Sequence, residues 1–386
     1  MSDIKIIYII LKLFVLIVFL LFGYILSKKN KNFWLISIPP LLIYAIIEGL
    51  RFGRMIDYNI YYFRYINLGK DINSEDYEFI FKNLMHIFSS SGVPYYIFIF
   101  LQTLFLIITT FILLKNYKKY LLFILPMVIS VIALNENYIR WFLGTSFLFL
   151  ALNCTFKYDN LKAIFWFICS LLTHIGFIVF LPLLIFKEII NRKPCPVLLG
   201  IIIYTFFIYF ISTKDLLNIT LITNYLVSEG FSGNEKTEMY LNATEGILSG
   251  DSLSGYMYED SFFSKTRMFL TNIPIIIWGQ KFISKENWGN YIYNLFLVCI
   301  IISPIFKTME IFDRFAYTLS IFTCLAGGIF YTNSIKYHKL NSIQFWLTII
   351  SIILYFYPQI EAIFSRKSDE TMLFIWNANG REYLPF

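Results

Sequence analysis

Charge is scarce in this sequence. Acidic and basic side chains make up 15% of its residues, where a soluble domain carries about 25%. A chain that is also 58% hydrophobic, with a mean hydropathy of +0.65, cannot cover itself with polar surface. That excludes an ordinary soluble globular protein. Histidine is rarer still, with three in 386 residues. The five cysteines (Cys154, Cys169, Cys195, Cys299 and Cys324) show neither CxxC nor metal-ligand spacing and read as small apolar residues. There is no P-loop, no G-x-G-x-x-G turn and no H-E-x-x-H helix. No cofactor, metal or nucleic-acid partner is therefore expected. Internal repeats, low-complexity linkers and a soluble domain are absent as well.

What the chain does have is apolar runs of near 20 residues, the length that crosses about 30 Å of hydrocarbon. Candidate spans lie at 4–26, 33–49, 95–114, 120–134, 138–156, 161–173, 175–186, 197–212, 267–281, 290–306, 314–331 and 342–358. The expected fold is an all-α polytopic membrane protein of about twelve transmembrane helices, with residues 1–386 as one transmembrane domain. Residues 4–26 read as a retained first helix, because the basic cluster Lys28, Lys29 and Lys31 follows the apolar run and no small-x-small cleavage site appears. The Ile, Lys, Asn, Phe and Tyr bias suggests an AT-rich bacterial genome, and so the bacterial inner membrane.

Lysine sets the orientation. With both termini external, every cytoplasmic connection is net positive, for example Lys115, Lys118 and Lys119. This parity requires 161–186 to be two short helices meeting near His174 on the external face. Two long external loops result, 50–94 with an amphipathic FIFKNLMHIF stretch for the interface, and 213–266, together with an external tail at 359–386.

The nine arginines run against the lysines. Arg51, Arg54, Arg64, Arg140, Arg267, Arg314, Arg366 and Arg381 fall outside in this topology, and only Arg192 falls inside. Retention of positive charge works with either residue and does not explain the separation. A guanidinium fork matches phosphate oxygens bidentately, whereas an ammonium is a point charge. Arg51, Arg54, Arg140, Arg267 and Arg314 sit at helix ends, which suggests a rim site for an anionic headgroup. The bland alternative is pairing with external acids or lipid phosphates. Asp57, Glu78 and His174 are the candidate acid–base groups beside that rim, and the loop tyrosines and asparagines (Tyr58, Asn59, Tyr61, Tyr62, Tyr65) suit sugar binding. An active site on that face meets no nucleotide, so its substrate must arrive activated, on a lipid.

The motifs fall in a recognisable order. GLRFGRMIDYNIYYFRY leaves the second helix, DYEFIFKNLMHIF follows, Asn137-Tyr138-Ile139-Arg140 opens a later helix, Leu171-Leu172-Thr173-His174 ends another, and Asp313-Arg314 starts a late one. Over about residues 1–340 this resembles the EpsG-like branch of the Wzy polysaccharide polymerases of O-antigen, capsule and exopolysaccharide pathways. The resemblance implies a GT-C-like bundle. It also implies a glycosyltransferase that moves a glycan chain from undecaprenyl pyrophosphate onto the non-reducing end of a new undecaprenyl-pyrophosphate-linked repeat unit at the outer leaflet. Partners it implies are that lipid-linked oligosaccharide, the bilayer, a chain-length regulator and a flippase. Arg51, Asp57, Glu78, Arg140, His174 and Arg314 fall on its pattern, while Met55-Ile56 stands where a small, glycine-containing turn is expected. A lipid-linked oligosaccharide flippase, and another outer-leaflet glycosyltransferase or ligase, are the competing readings.

Overall fold

The computed structural model describes residues 2–28, 32–211, 261–306, 310–337, 342–366 and 369–378. Helices occupy nearly all of them. The order is α1 (Asp3–Lys28), α2 (Phe33–Gly49), α3 (Met55–Lys70), α4 (Phe79–Ser90), α5 (Tyr95–Leu114), α6 (Leu121–Ile132), α7 (Ile139–Phe156), α8 (Asn160–Leu171), α9 (Leu181–Ile185), α10 (Lys187–Arg192) and α11 (Val197–Tyr209). After the undescribed stretch come α12 (Phe262–Pro274), α13 (Gly289–Phe306), α14 (Glu310–Tyr337) and α15 (Ile343–Ser365). The one β-bridge among the described residues joins Arg51 to Phe374. Most of the 213–266 loop, and the tail beyond 378, lie outside the described residues.

Among the described residues, Asp3–Lys28, Tyr95–Ile132, Ile139–Phe156, Arg314–Tyr337 and Ile343–Ser365 are helical and apolar enough to cross a membrane. Five shorter apolar helices accompany them. In hydrocarbon, backbone polar groups must be satisfied within the segment, which selects helices. This is a helical membrane protein. Tyr95–Ile132 is 38 residues long, about 57 Å as one helix, too long for a single crossing. It breaks at Tyr117, whose backbone is non-helical (φ −119°, ψ 30°).

α7 lies at the centre and is buried on nearly every side, against α5 and α8. α1 packs on α2 and α6, and α14 on α6 and α13. α15 is outermost, and only Gln344, Thr348 and Ser351 on it are buried. Those three polar side chains bond to Ser334 and Tyr331 of α14 and to the Thr271 carbonyl of α12. Apolar contact gains little over lipid for such a helix, and polar groups hold it in place.

The 161–186 segment is broken at His174, as two short helices require. α8 ends at Leu171, His174 is extended, and a 3-10 turn over Ile175–Phe180 leads into α9. In the 50–94 segment, α3 and α4 pack on each other around Tyr61, Tyr77 and Phe81. α4 buries Phe81 and Met85 and turns Phe79 and Ile87 outward. The turn that Met55-Ile56 cannot make is supplied two residues earlier by Gly53, whose φ of +60° places it in the left-handed region where glycine is favoured.

Candidate functional site

The start of α4 reaches back to the broken segment. Ile80 N–H donates to the Leu172 carbonyl at 2.8 Å. This sets Glu78, the residue before α4, beside His174. One carboxylate oxygen of Glu78 accepts from Arg140 Nη1 at 2.6 Å, and the other accepts from the backbone N–H of Ile175 at 3.1 Å. Arg140, at the start of α7, also lies over the Tyr77 ring at 5.1 Å.

His174 Nδ1 is 4.0 Å from Glu78 and accepts from the Gly176 N–H at 3.0 Å. That bond needs an unprotonated Nδ1, so the ring is the neutral tautomer with its proton on Nε2. Burial, then the guanidiniums of Arg140 and Arg314, push the His174 pKa down to about 3. At neutral pH His174 is an uncharged donor through Nε2–H, not one half of an ion pair with Glu78.

Trp141 fixes this corner. Its ring meets His174 edge-on at 5.1 Å and stacks on Phe177 at 4.3 Å. Its indole N–H donates to Thr318 Oγ1 at 2.9 Å, one turn beyond Arg314. α14 is thereby registered on α7, and Arg314 comes over the Tyr138 ring at 4.6 Å. The Tyr61 hydroxyl sits in the combined field of Arg140, Asp57, Tyr77 and Arg314, and burial pushes its pKa up, so it stays protonated. Asp57, Glu78, Arg140, His174 and Arg314 thus converge from four separate stretches of the chain. Two guanidiniums, a neutral imidazole and two carboxylates in one place can hold an anion and move a proton.

Of the five rim arginines, Arg140 and Arg314 share this site and the other three do not. Arg51 and Arg54 are 1% and 0% exposed and are spent on internal contacts. Arg51 donates to the carbonyls of Glu48 and Asn135, both at 2.8 Å. Arg54 donates to the Leu373 carbonyl at 2.6 Å and to Glu136 at 2.8 Å, and lies over the Phe374 ring at 4.0 Å. Lys12 of α1 bridges Glu48 and Glu136, and Arg366 holds the other oxygen of Glu136 at 2.5 Å. The expectation fails for Arg51 and Arg54 because the chain leaving α2 turns inward at Gly53 under the 369–378 segment. Arg267 lines a separate cavity, described below.

The loop tyrosines also need correction. Tyr58, Tyr62 and Tyr65 are buried and form a second core with Tyr95 and Phe98. They are packing residues and not a sugar platform. His86 ties α4 to α3 through the Leu68 carbonyl at 2.6 Å. Sequence reasoning passed over Lys12 and Glu48, although ionisable residues inside apolar helices are a clear signal. Tyr77, Tyr138 and Trp141 carried no such mark. The separation of arginines from lysines is incomplete, because Lys12 sits among Arg54, Glu48 and Glu136. Arg51, Arg54, Arg140 and Arg314 gather at one end of the bundle, while Lys119 pairs with Glu286 at the other, beside Trp288 and Phe156.

Compared with known protein families, the chain matches the EpsG family over residues 33–368. No curated protein and no solved structure matches it.

Proposed function

The chain belongs to the EpsG family, and from that premise we propose that it is a polysaccharide polymerase acting on lipid-linked glycans. In this reading it is an inner-membrane protein of about twelve crossings, with the Arg140–His174 end facing the exterior. It transfers a growing chain from a lipid pyrophosphate to the non-reducing end of a new lipid-linked repeat unit. The observation that carries the reading is the pair of guanidiniums, Arg140 and Arg314, set around a neutral histidine and two carboxylates.

The chemistry balances on those groups. An acceptor hydroxyl oxygen attacks the anomeric carbon, and the bond from that carbon to the pyrophosphate oxygen breaks. The leaving pyrophosphate takes the electron pair, and Arg140 and Arg314 stabilise the charge as it develops. The hydroxyl proton must pass to a base. His174 has its Nδ1 lone pair committed to Gly176, and Glu78 has both oxygens committed to Arg140 and Ile175. The candidates for that base are Asp57, in the first turn of α3, and Glu78. His174 Nε2–H orients a substrate oxygen. The GT-C-type bundle implied by the family fits a lipid-borne donor of this kind.

The test is reconstitution in nanodiscs with an undecaprenyl-pyrophosphate-linked repeat unit and no nucleotide. A ladder of repeat-unit multiples, lost in Arg140→Ala, Arg314→Ala and Asp57→Asn proteins that still fold, is the expected result. Movement of the lipid between leaflets without a ladder would assign transport instead. A single added sugar would assign a different lipid-dependent transferase.

A further inference from the structure

A cavity of about 480 Å³ lies between α1, α12, α13, α14 and α15. Its lining is of two kinds. Val15, Leu16, Ile129, Leu354 and Ile363 give it apolar walls. Lys12, Glu48, Glu136 and Arg366, which contact one another, give it a charged head, and Arg267 adds a further guanidinium from α12. Along α15 the lining runs from Leu354 to Arg366, about 18 Å at the helical rise.

Within the head, Lys12 and Arg366 are matched by Glu48 and Glu136. Arg51 and Arg54 are buried behind the wall and donate to carbonyls and to Glu136. The cation in the lining that has no carboxylate against it among the described residues is Arg267, and it is the charge that suits an anionic headgroup. The Arg267 guanidinium makes no hydrogen bond or ion pair among the described residues, its backbone carbonyl alone being used, by Thr271. Gln359, also on the wall, has a buried amide nitrogen with no hydrogen-bond partner among the described residues.

The other end of the ligand is set by α15. Its three buried residues all lie in its first half, up to Ser351, where polar bonds hold it to α12 and α14. From Leu354 onward the helix has no fully buried residue, and it reaches the bundle there through Tyr355, whose hydroxyl donates to the Met127 carbonyl, beside the cavity. Its outward residues there, Tyr357, Ile360 and Phe364, are exposed and apolar, and Ala362 stands at the lip. Ala362 both lines the cavity and is exposed, so the cavity reaches the surface beside α15, whose outer face is apolar.

We propose that this cavity is a binding site for a lipid with a phosphate headgroup, the phosphate held by Arg267, Lys12 and Arg366 and the chain laid along α15. It is distinct from the Arg140–His174 site but joined to it. Glu136 and Asn137 line the cavity, the ring of Tyr138 lies under Arg314, and Arg140 holds Glu78. Glu136, which holds Lys12 and Arg366, stands four residues before Arg140 in the chain. The use of that lipid as a second, lipid-linked substrate rests on the polymerase reading; the binding itself does not.

The experiment measures lipid binding to the purified full chain carrying Arg140→Ala, by native mass spectrometry, so that neither turnover nor the other site contributes. Probes are undecaprenyl phosphate, phosphatidic acid, phosphatidylcholine and inorganic pyrophosphate. The two anionic phosphomonoesters, undecaprenyl phosphate and phosphatidic acid, are expected to bind, and phosphatidylcholine, whose phosphate is neutralised by its own choline, is not. Arg267→Ala should weaken binding about tenfold, the size of one charge-assisted hydrogen bond. Ala362→Trp, which narrows the lip without touching a charge, should weaken it as well, and neither should move the unfolding temperature. Preference for undecaprenyl phosphate over phosphatidic acid would tie the site to a lipid-linked substrate, and equal binding would make it a phospholipid site. Wild-type affinity in both variants, or full competition by pyrophosphate alone, would overturn the proposal. A missing ladder in the reconstitution above would leave this result standing.

Discussion

Glu78 is the side chain on which the candidate site depends, because its carboxylate joins the guanidinium at the start of α7 to the backbone just after His174. Its carboxylate meets Arg140 on one oxygen and the Ile175 N–H on the other. Glu78→Gln keeps an acceptor for Ile175 but loses the charge pair that aims the guanidinium. Polymer yield in the reconstituted assay should fall about 10- to 100-fold, the range of one charge-assisted contact, while the protein remains folded. Unchanged yield would remove Glu78 from the site. His174 supports a prediction of the opposite kind. Its pKa of about 3 in the folded protein lies below the ordinary 6.5, so the unfolded chain takes the proton first. Above pH 6.5 both states are neutral and His174 contributes no pH dependence to stability. Below that pH its burial destabilises the fold progressively. Between pH 5 and 8 it stays neutral in the native protein. The pH–rate profile of His174→Gln should therefore have the wild-type shape at lower height. A wild-type limb near 6.5 that disappears in the mutant would show that His174 titrates during turnover.

At the scale of elements, the site depends on how closely the 3-10 turn after His174 approaches α7. A Cβ on Gly144 would lie 2.4 Å from the Phe177 ring, and Ser170 Oγ donates to the Gly144 carbonyl at 2.8 Å on the same face. Gly144→Val should push Phe177 and the Trp141–His174 corner outward, at about 1–3 kcal/mol of overpacking. Thermal unfolding in detergent should show a modest loss, and polymerisation a much larger one. Wild-type activity in a folded Gly144→Val protein would separate the turn from the chemistry. The elements themselves are legible in the sequence. Apolar runs mark the helices, and the charge rule divides 161–186 at His174, where the backbone breaks. The pairings are not legible. Glu78 and Ile175 are 97 residues apart, and nothing local marks one as the acceptor of the other. Arg51 and Arg140 look alike as arginines at helix ends, yet one is enclosed by carbonyls and the other faces a carboxylate beside His174. The difference is made by Gly53 and by the distant 369–378 segment. Tyr58, Tyr62 and Tyr65 mislead for the same reason, since a polar-looking loop conceals a core that only the packing of α3 on α5 creates.

At the scale of the whole molecule, the two ends of the described chain are fastened to the middle at one buried point. Leu373 and Ile375 exchange backbone hydrogen bonds with Phe52 and Leu50, and Arg54 crosses from that strand-like contact to Glu136. Glu136 in turn collects Lys12 from α1 and Arg366 from the end of α15. Burial alone would raise the Glu136 pKa, but Lys12, Arg366 and Arg54 outweigh it and hold the carboxyl well below its ordinary 4.5. The sign follows from that depression. The stabilisation is fully present above about pH 4.5, where the unfolded carboxyl is ionised too, and is lost as pH falls towards the native value and the folded state must take a proton. Glu136→Gln leaves three cations around a neutral amide, and removing one partner of a buried ion cluster costs about 3–5 kcal/mol. The mutant should unfold at markedly lower temperature at pH 7. Its unfolding temperature should also lose the part of the acid-induced fall that the wild type shows below pH 4.5. Both changes are read from thermal unfolding of the two proteins across pH 3 to 7 in one detergent. Equal unfolding temperatures at pH 7 would mean that the clasp does not hold the ends of the chain together.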